Sequence, residues 1–473
     1  MTDGALSTGQ KALALNLDNT THGTFAEIGA GQEVARWFFL VGGAAGTVAK
    51  TISAYDMAVS DALYGPAQRY VSRQRLEAML QHEYTQLVDS LGRVRGETTA
   101  FFAFADTVAT RSYRHPENGR GWVGIRFQAR PGEEPSEIIV HVHLLESTPA
   151  RQQEALGVLG VDLIYEAFMR HREPAALIGS LMDELSRERV ELDMIKFSGP
   201  AFAGLDNRLM SLQLVEQGLT DAAMFTASGE VVQPSEVLHK KPILVERGSF
   251  RPATKLTLDL LERARAQFLQ EPEVQGQEPV VLAEMTLRSL TSGNEVDHAD
   301  FLARADILGV LGFDVLISRF QPYHELAEYL STYTDRMIGL AVGSPSVILI
   351  ADEKYYADLP GGVLESMGRL FKRSVKMYVY PARDPISGRI YTIERTPVPP
   401  PWHHLRDLLL EIHRIEPIRG YNEDYLSIQT ADVLARIEKG DPSWEAMVPP
   451  AVAEIIKSKR LFASGTARDL PAR

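Results

Sequence analysis

The chain contains no cysteine among its 473 residues. This absence excludes disulfide bonds, thiolate metal ligands and cysteine nucleophiles, and it is compatible with a reducing cytosol. Long apolar runs are also missing, since the longest, 37–49 (WFFLVGGAAGTVA), covers thirteen residues and is interrupted by glycines. A membrane-spanning helix needs about 20 apolar residues. We therefore expect no membrane span, and we expect this run to form a packed helix inside the protein or at a subunit contact.

Basic residues are few relative to acidic ones. The chain has 49 Lys and Arg against 62 Asp and Glu, which gives a net charge of -13. This balance disfavours binding to nucleic acid or to an anionic membrane surface, but it allows a local basic pocket for a small anion. The first ten residues, MTDGALSTGQ, lack the basic and apolar regions of a signal peptide. We therefore expect a soluble, cytoplasmic protein that binds no nucleic acid.

An internal repeat indicates how the chain is divided. Residues 156–168 (LGVLGVDLIYEAF) and 308–320 (LGVLGFDVLISRF) share seven of thirteen positions at an offset of 152. In each copy a helical pattern turns at a glycine and continues into a short apolar strand, around Asp162 or Asp314. A chain of this length also has more residues than a single hydrophobic core usually organises, so more than one domain is expected. We expect two lobes from an internal duplication, and chance similarity of two buried helix–strand units is the alternative.

The expected fold class is α/β, with two similar Rossmann-like, doubly wound lobes and a β-hairpin insertion in the first. A proline-rich linker (TPVPPPW) precedes a helical C-terminal portion in which continued β structure is not expected. The predicted divisions are an N-terminal segment (1–29), a first lobe (30–235), a second lobe (240–395), and a linker with a helical portion that completes the second lobe (396–473). The predicted strands of the second lobe are 242–245, 280–285, 314–317, 337–342 and 376–380, and the predicted hairpin strands of the first are 122–127 and 138–145.

The strongest chemical signal lies in the first strand-to-helix turn of the second lobe. Strand 242–245 leads into the segment GSFRPATK at 248–255, and a helical pattern follows. Glycine and serine at the end of a strand let the backbone approach a phosphate, which the N–H groups of the next helix attract. A generic turn is the alternative interpretation.

Residues 248–264 (GSFRPATKLTLDLLERA) resemble the first loop and helix of the nucleotidyltransferase superfamily, commonly written GSFDPxTxGHxDxxERA. Residues 426–462 resemble the ISSTxxR and VPxxVxxYIxxxxLY motifs of nicotinate-nucleotide adenylyltransferases. The resemblance, which extends to the nicotinamide-nucleotide enzymes, implies ATP with Mg²⁺ as cofactor and a mononucleotide as substrate. The implied reaction transfers an adenylyl group and releases pyrophosphate. A generic amphipathic helix is the alternative for 448–462.

Several residues in these motifs depart from the family pattern. Thr254 and Thr257 stand where the family has two histidines that contact the triphosphate, and threonine carries no positive charge. Arg251 replaces the aspartate of the family, and Lys255 lies between the two threonines. Cationic side chains therefore lie next to the positions at which the family has histidines, and we expect these side chains to bind phosphates.

The closing motif is also incomplete, because Val433 stands at the arginine position of ISSTxxR and Arg436 follows one turn later. The resemblance implies catalytic residues Arg251, Lys255 and Thr257, and nucleotide-binding residues Gly248, Ser249, Phe250, Thr254, Thr430 and Arg436. Two functions remain open. The first is an adenylyltransferase, and the second is a catalytically degenerate nucleotide-binding or homo-oligomeric assembly protein of the same fold.

No metal site is expected from the histidines. His141 and His143 lie two residues apart on one face of a predicted strand. No carboxylate or further histidine stands near them at convincing metal spacing on one predicted helix. An ordinary strand environment is therefore the favoured interpretation.

Overall fold

The computed structural model describes residues 6–112, 119–293, 295–384 and 386–462. The chain forms two compact units that meet in sequence between Thr220 and Asp221. This boundary lies before the predicted one at 235–240, because residues 222–232 pair with the second sheet. The predicted N-terminal segment is also part of the first unit, since it supplies a helix and a strand. Its residues 1–5, and residues 463–473 of the C-terminal portion, lie outside the described residues.

The first unit is built around a mixed sheet. Its strands are β1 (Thr21–Ile28), β2 (Val48–Ile52), β3 (Ala100–Ala109), β4 (Gly119–Phe127), β5 (Ser136–Leu144) and β6 (Val190–Ser198). Its helices are α1 (Thr8–Leu17), α2 (Glu33–Val41), α3 (Met57–Tyr64), α4 (Arg73–Arg95), α5 (Pro149–Met169), α6 (Pro174–Ser180) and α7 (Asn207–Glu216).

The strand order of this sheet is β2-β1-β3-β4-β5-β6. β1 runs parallel to both of its neighbours, whereas β3 to β6 form an antiparallel series. The predicted hairpin is confirmed as β4 and β5. Phe25 and Phe102 are fully buried on one face, with ring centroids 5.6 Å apart. Burial of each such side chain stabilises the fold by about 1.5–3 kcal/mol.

The predicted strand around Asp162 is wrong, because residues 156–168 lie inside α5. Gly160 packs so closely on α2 that an added Cβ would lie 2.3 Å from Val34 Cγ2. In the second copy Gly312 has a positive φ of 79°, which ends the helix before a buried strand begins. The same glycine pattern thus serves helix packing in one unit and a turn in the other, and the two segments have different structures.

The apolar run 37–49 does not form one helix, so that prediction is also wrong. α2 ends at Val41, two glycines with positive φ follow, and the run finishes in β2. Phe38 is fully buried, whereas Phe39 is 54% exposed. No described helix in either unit combines the length and the apolar character needed to cross a bilayer.

The second unit contains a larger sheet and two small ribbons. Its strands are β7 (Ala222–Phe225), β8 (Val231–Val232), β9 (Ile243–Arg247), β10 (Val280–Thr286), β11 (Thr291–Ser292), β12 (Glu295–Val296), β13 (Asp314–Ser318), β14 (Ile338–Gly343), β15 (Val375–Tyr380), β16 (Ala382–Arg383), β17 (Ile390–Tyr391) and β18 (Ile415–Pro417). Its helices are α8 (Pro234–Leu238), α9 (Lys255–Phe268), α10 (Leu287–Leu290), α11 (His298–Val310), α12 (Tyr323–Leu330), α13 (Ser344–Ile350), α14 (Gly362–Leu370), α15 (Pro400–Glu411), α16 (Thr430–Lys439) and α17 (Pro450–Lys459).

The main sheet has the order β18-β15-β14-β9-β10-β13-β7-β8. The six strands from β18 to β13 are parallel, and the chain winds outward from β9 first in one direction and then in the other. This is a doubly wound Rossmann-like order, with its switch point between β9 and β14. The α/β fold class is therefore confirmed, and apolar side chains cover both faces of this sheet.

The C-terminal portion is mainly helical, as expected, but it also adds β18 to the sheet beside β15. The prediction that no β structure follows residue 396 is therefore wrong for residues 415–417. A strand of three residues is too short to show the alternation of apolar and polar residues by which strands are predicted from sequence.

Candidate functional site

The loop at 248–254 lies at the switch point of the second sheet. β9 ends at Arg247, the loop follows, and α9 begins at Lys255. The backbone N–H of Gly248 donates to the carbonyl oxygen of Glu284 at 3.1 Å, which fixes the loop to the next strand. The ring of Phe250 lies beneath Gly248, where an added Cβ would approach it to 2.9 Å. Ligands of doubly wound sheets bind at this edge, so the loop has the position that the sequence predicted.

Arg251 is held at this loop by an acidic partner. Its Nε donates to Oδ1 of Asp300 at 2.6 Å, and the Arg251 side chain is 41% exposed. Asp300 also pairs with the buried Arg304, which donates to the carbonyl oxygens of Ser249 (3.0 Å) and Ser289 (2.9 Å). Asp300 therefore orients two guanidinium groups at the loop, and it offsets part of their positive charge.

Thr254 and Thr257 bond to each other at the start of α9. The N–H of each residue donates to the hydroxyl oxygen of the other at 3.3 Å, which is a reciprocal capping arrangement. Thr254 is buried. The two hydroxyl oxygens thus accept hydrogen bonds from backbone N–H groups at the start of α9.

Lys255 faces a cavity of about 310 Å³ whose other walls come from α9 and from the C-terminal portion. The N–H of Asn422 donates to Oδ2 of Asp259 at 3.0 Å, which joins the segment before α16 to α9. The walls include Asp259, Glu262, Arg263, Asn422 and Tyr425.

The two predicted residues of α16 have local roles. Thr430 is the first residue of this helix. Arg436 bonds to Asp432 at 3.0 Å and to Ser443 at 2.7 Å, so its described hydrogen bonds stay within 432–443. Val433 is fully buried. Arg436 therefore bonds within its own segment. The structure places the other predicted residues together at the loop and the first turn of α9: Gly248, Ser249, Phe250, Arg251, Thr254, Lys255 and Thr257.

Arg247 and Glu284 form a buried ion pair that sequence reasoning missed. Nε and Nη2 of Arg247 donate to the two carboxylate oxygens of Glu284 at 2.6 and 2.8 Å. The guanidinium also lies 4.5 Å from the ring centre of Tyr323. Arg247 is the last residue of β9, so this ion pair joins the carboxyl end of β9 to β10.

Glu246 lies on the opposite face of the same strand end. Ala283 and Ala341 flank it on the neighbouring strands, and its Oε2 atom is buried without a hydrogen-bond partner among the described residues. Burial raises the pKa of Glu246 well above its ordinary value. The carboxyl end of β9 thus has a fixed arginine on one face and a buried carboxyl group on the other.

A larger cavity, of about 790 Å³, lies at the opposite edge of this sheet. It is lined by the amino ends of β9, β10 and β13, including Pro242, Val280 and Asp314. The residues at these strand starts match no binding motif, so the cavity was not predicted from the sequence.

In the first unit, two carboxyl groups lie side by side at the ends of parallel strands. Glu27 of β1 pairs in register with Asp106 of β3. Glu27 accepts hydrogen bonds from the N–H groups of Val34 and Ala35, both at 3.0 Å. Burial raises the pKa of Glu27 to about 7, and burial together with the charge of Glu27 raises the pKa of Asp106. Sequence reasoning missed this pair because its members are 79 positions apart.

We expect Asp106→Asn to make the stability of the first unit less dependent on pH. The folded pKa of each carboxyl lies above its unfolded value, so folding is favoured below the unfolded pKa and loses stability as the pH rises. An increase in the pKa of Glu27 from 4.5 to about 7 corresponds to a loss of about 3 kcal/mol across that interval. Urea unfolding at a series of pH values measures the decline, which should be shallower in the variant.

Asp89→Asn provides the control, because Asp89 is exposed on α4. Its stability profile should follow that of the wild type. An Asp106→Asn profile as steep as that of the wild type would contradict the role assigned to this pair.

Comparisons with known proteins give only distant likenesses. No protein family model and no curated protein matches the chain. Among solved structures, competence/damage-inducible protein CihA from Agrobacterium tumefaciens is 18% identical over 35% of this chain and 97% of that chain, with a TM-score of 0.24. A CinA superfamily protein from Enterobacter cloacae is 14% identical over 36% and 96%, with a TM-score of 0.25.

A third similar structure is the Plasmodium falciparum nicotinic acid mononucleotide adenylyltransferase complexed with APC. It is 12% identical over 47% of this chain and 97% of that chain, with a TM-score of 0.30. Likenesses of this size assign neither a family nor an activity to the chain.

Proposed function

We propose that the second unit binds an adenine nucleotide at the 248–254 loop and that it has lost adenylyl transfer. The observation that carries the proposal is the position of this loop, between the central strand of a doubly wound sheet and the first turn of α9. At that place loop N–H groups and a helix N-terminus favour the phosphates of a nucleotide. The ligand that fits the resemblance is ATP with Mg²⁺.

The charges near the loop support a phosphate ligand. Arg251 keeps 41% of its side chain exposed while Asp300 orients it. Lys255 supplies a second cation at the first position of α9. Each charge-assisted contact to a phosphate contributes roughly 1.5–3 kcal/mol.

The loss of transfer is supported by the two threonines. Catalysis of this reaction depends on stabilising the charge that develops on the pyrophosphate leaving group. Thr254 and Thr257 are neutral, and they bond to each other.

Calorimetric titration with MgATP tests the proposal. We expect the wild type to bind one nucleotide, and we expect Arg251→Ala/Lys255→Ala to weaken binding by about 3–6 kcal/mol, from two lost charge-assisted contacts. Arg336→Ala is the control, since Arg336 lies beside Asp335 before the amino end of β14, at the edge of the sheet opposite the loop, and its affinity should be unchanged. Equal affinity of the double variant and the wild type would remove the loop as the site.

Turnover is tested separately, by measuring pyrophosphate release from ATP with nicotinate or nicotinamide mononucleotide. We expect no release above the level of the double variant. Release that depends on either mononucleotide would instead identify the protein as an adenylyltransferase.

A further inference from the structure

Two histidines and an aspartate meet on one face of the first sheet, far from the loop in sequence. His141 and His143 lie on β5, and Asp193 lies on the adjacent strand β6. The register of these strands shifts between His141, which pairs with Met194, and Val142, which pairs with Leu192. Asp193 is therefore the extra residue of a β-bulge. Bulges redirect a side chain within a sheet, and this one directs a carboxylate toward two imidazoles.

The three side chains converge closely. Nδ1 of His141 lies 2.6 Å from Oδ1 of Asp193, and Nε2 of His143 lies 2.9 Å from Oδ2. One donor atom from each residue lies within 4.8 Å of the other two. His141 and Asp193 are 5% and 2% exposed, and the ring of Trp122 lies 4.8 Å from that of His141. The cluster is thus a buried group of donors and not a chance meeting of surface side chains.

The donor atoms of the cluster suit a cation. Asp193 offers carboxylate oxygens, and an imidazole nitrogen that carries no proton is a Lewis base. The three side chains therefore bring one oxygen donor and two nitrogen donors together.

We propose that His141, His143 and Asp193 bind a divalent transition-metal ion of the Zn²⁺ class. Two imidazole nitrogens and one carboxylate are a set that Zn²⁺ accepts at about 2.0–2.2 Å, whereas Mg²⁺ and Ca²⁺ prefer oxygen ligands alone. The ion takes the place of the hydrogen bonds between the imidazoles and the carboxylate, so each coordinating imidazole nitrogen gives up any proton it carries, to solvent or to the other ring nitrogen. Three protein ligands leave a fourth tetrahedral position for water or another small ligand.

The present spacing is compatible with this exchange. In a tetrahedral site with bonds of about 2.1 Å, neighbouring donor atoms lie about 3.4 Å apart. The nitrogen–oxygen separations of 2.6 and 2.9 Å must therefore widen by less than about 1 Å, which small rotations of the side chains allow. His143, whose side chain is 23% exposed, is the ligand nearest to solvent.

Titration of the full-length, chelator-treated protein with Co²⁺ and Zn²⁺ tests the proposal. We expect one Co²⁺ per chain with the visible absorption of a tetrahedral complex, and displacement of Co²⁺ by Zn²⁺. His143→Gln should weaken Zn²⁺ binding by more than about 100-fold, because even outer-sphere partners of a ligand contribute about 10- to 100-fold.

The matched control is His171→Gln, in the same unit, where the imidazole bonds to the carbonyl oxygen of Ala167. It should bind Zn²⁺ like the wild type. Asp193→Asn gives a second test that keeps the shape of the side chain, and circular dichroism confirms that each variant is folded. Zn²⁺ affinity that is unchanged in His143→Gln, or no stoichiometric binding by the wild type, overturns the proposal and leaves a hydrogen-bonded His–Asp–His cluster only.

Discussion

Replacement of Lys11 by methionine is expected to destabilise the first unit by about 3–5 kcal/mol, because it leaves buried acidic groups without their cation. Lys11 is 1% exposed in α1, and its Nζ lies 2.9 Å from Oδ1 of Asp162 and 2.8 Å from Oδ2 of Asp183. Glu166 lies within 3.6 Å of the same ammonium. This contact between α1 and α5 is the most deeply buried ion pair of the unit described above.

Asp162→Asn is the matched control for Lys11→Met. Burial raises the pKa of Asp162 to about 8 and Lys11 opposes that rise, and in Asp162→Asn the ammonium of Lys11 keeps Asp183 as an anionic partner. A neutral amide of the same shape should therefore cost less than about 1 kcal/mol. Hydrogen exchange of the amides of β1 and β3, read peptide by peptide in the whole chain, measures both variants. Equal losses for the two would contradict the role of Lys11 as the shared cation of Asp162, Glu166 and Asp183.

The second large effect is expected for Arg247→Met in the second unit. Glu284 is fully buried and receives both hydrogen bonds from Arg247, while Ser318 donates to Oε1 of Glu284 at 2.5 Å. Removal of the arginine leaves an uncompensated buried carboxylate, with a cost of about 3–5 kcal/mol. Hydrogen exchange of the amides of β9 and β10 measures the change.

A second substitution separates loss of charge from loss of packing. Arg247→Met/Glu284→Gln removes both charges, and the amide oxygen still accepts a hydrogen bond from Ser318. We expect it to recover most of the stability lost in Arg247→Met, which gives a coupling energy between the two positions. Additive losses in the double variant would mean that the ion pair contributes little and that packing of Arg247 on Tyr323 dominates.

The fold of the second unit was predictable because its elements alternate between clear strand and helix periods. Strands predicted at 280–285 and 376–380 are observed at Val280–Thr286 and Val375–Tyr380. Glycine and proline positions marked the turns between them, and the doubly wound order follows from right-handed crossovers. This order places the 248–254 loop at the switch point without any knowledge of the side chains.

The failures have equally specific causes. Residues 156–168 share seven of thirteen positions with 308–320, but close packing of Gly160 on α2 and the buried partners of Asp162 extend the helix. The pairing of Thr254 with Thr257, and of Arg251 with Asp300, depends on atomic positions that no sequence period reports. Asp193 is separated from His141 by 52 positions, and a single bulged residue decides that they meet.

The hairpin of β7 and β8 has a practical consequence for separating the two units. β7 lies antiparallel to β13, and its residues Ala222–Phe225 cover the backbone of Val315, Leu316 and Ile317. A fragment that starts at residue 240 would strip this hairpin and leave an apolar strand with unpaired N–H and C=O groups at the edge of the sheet. Such an edge recruits other chains and promotes aggregation. A fragment that starts at Asp221 keeps β7 paired with β13, so the hairpin protects the second unit from self-association.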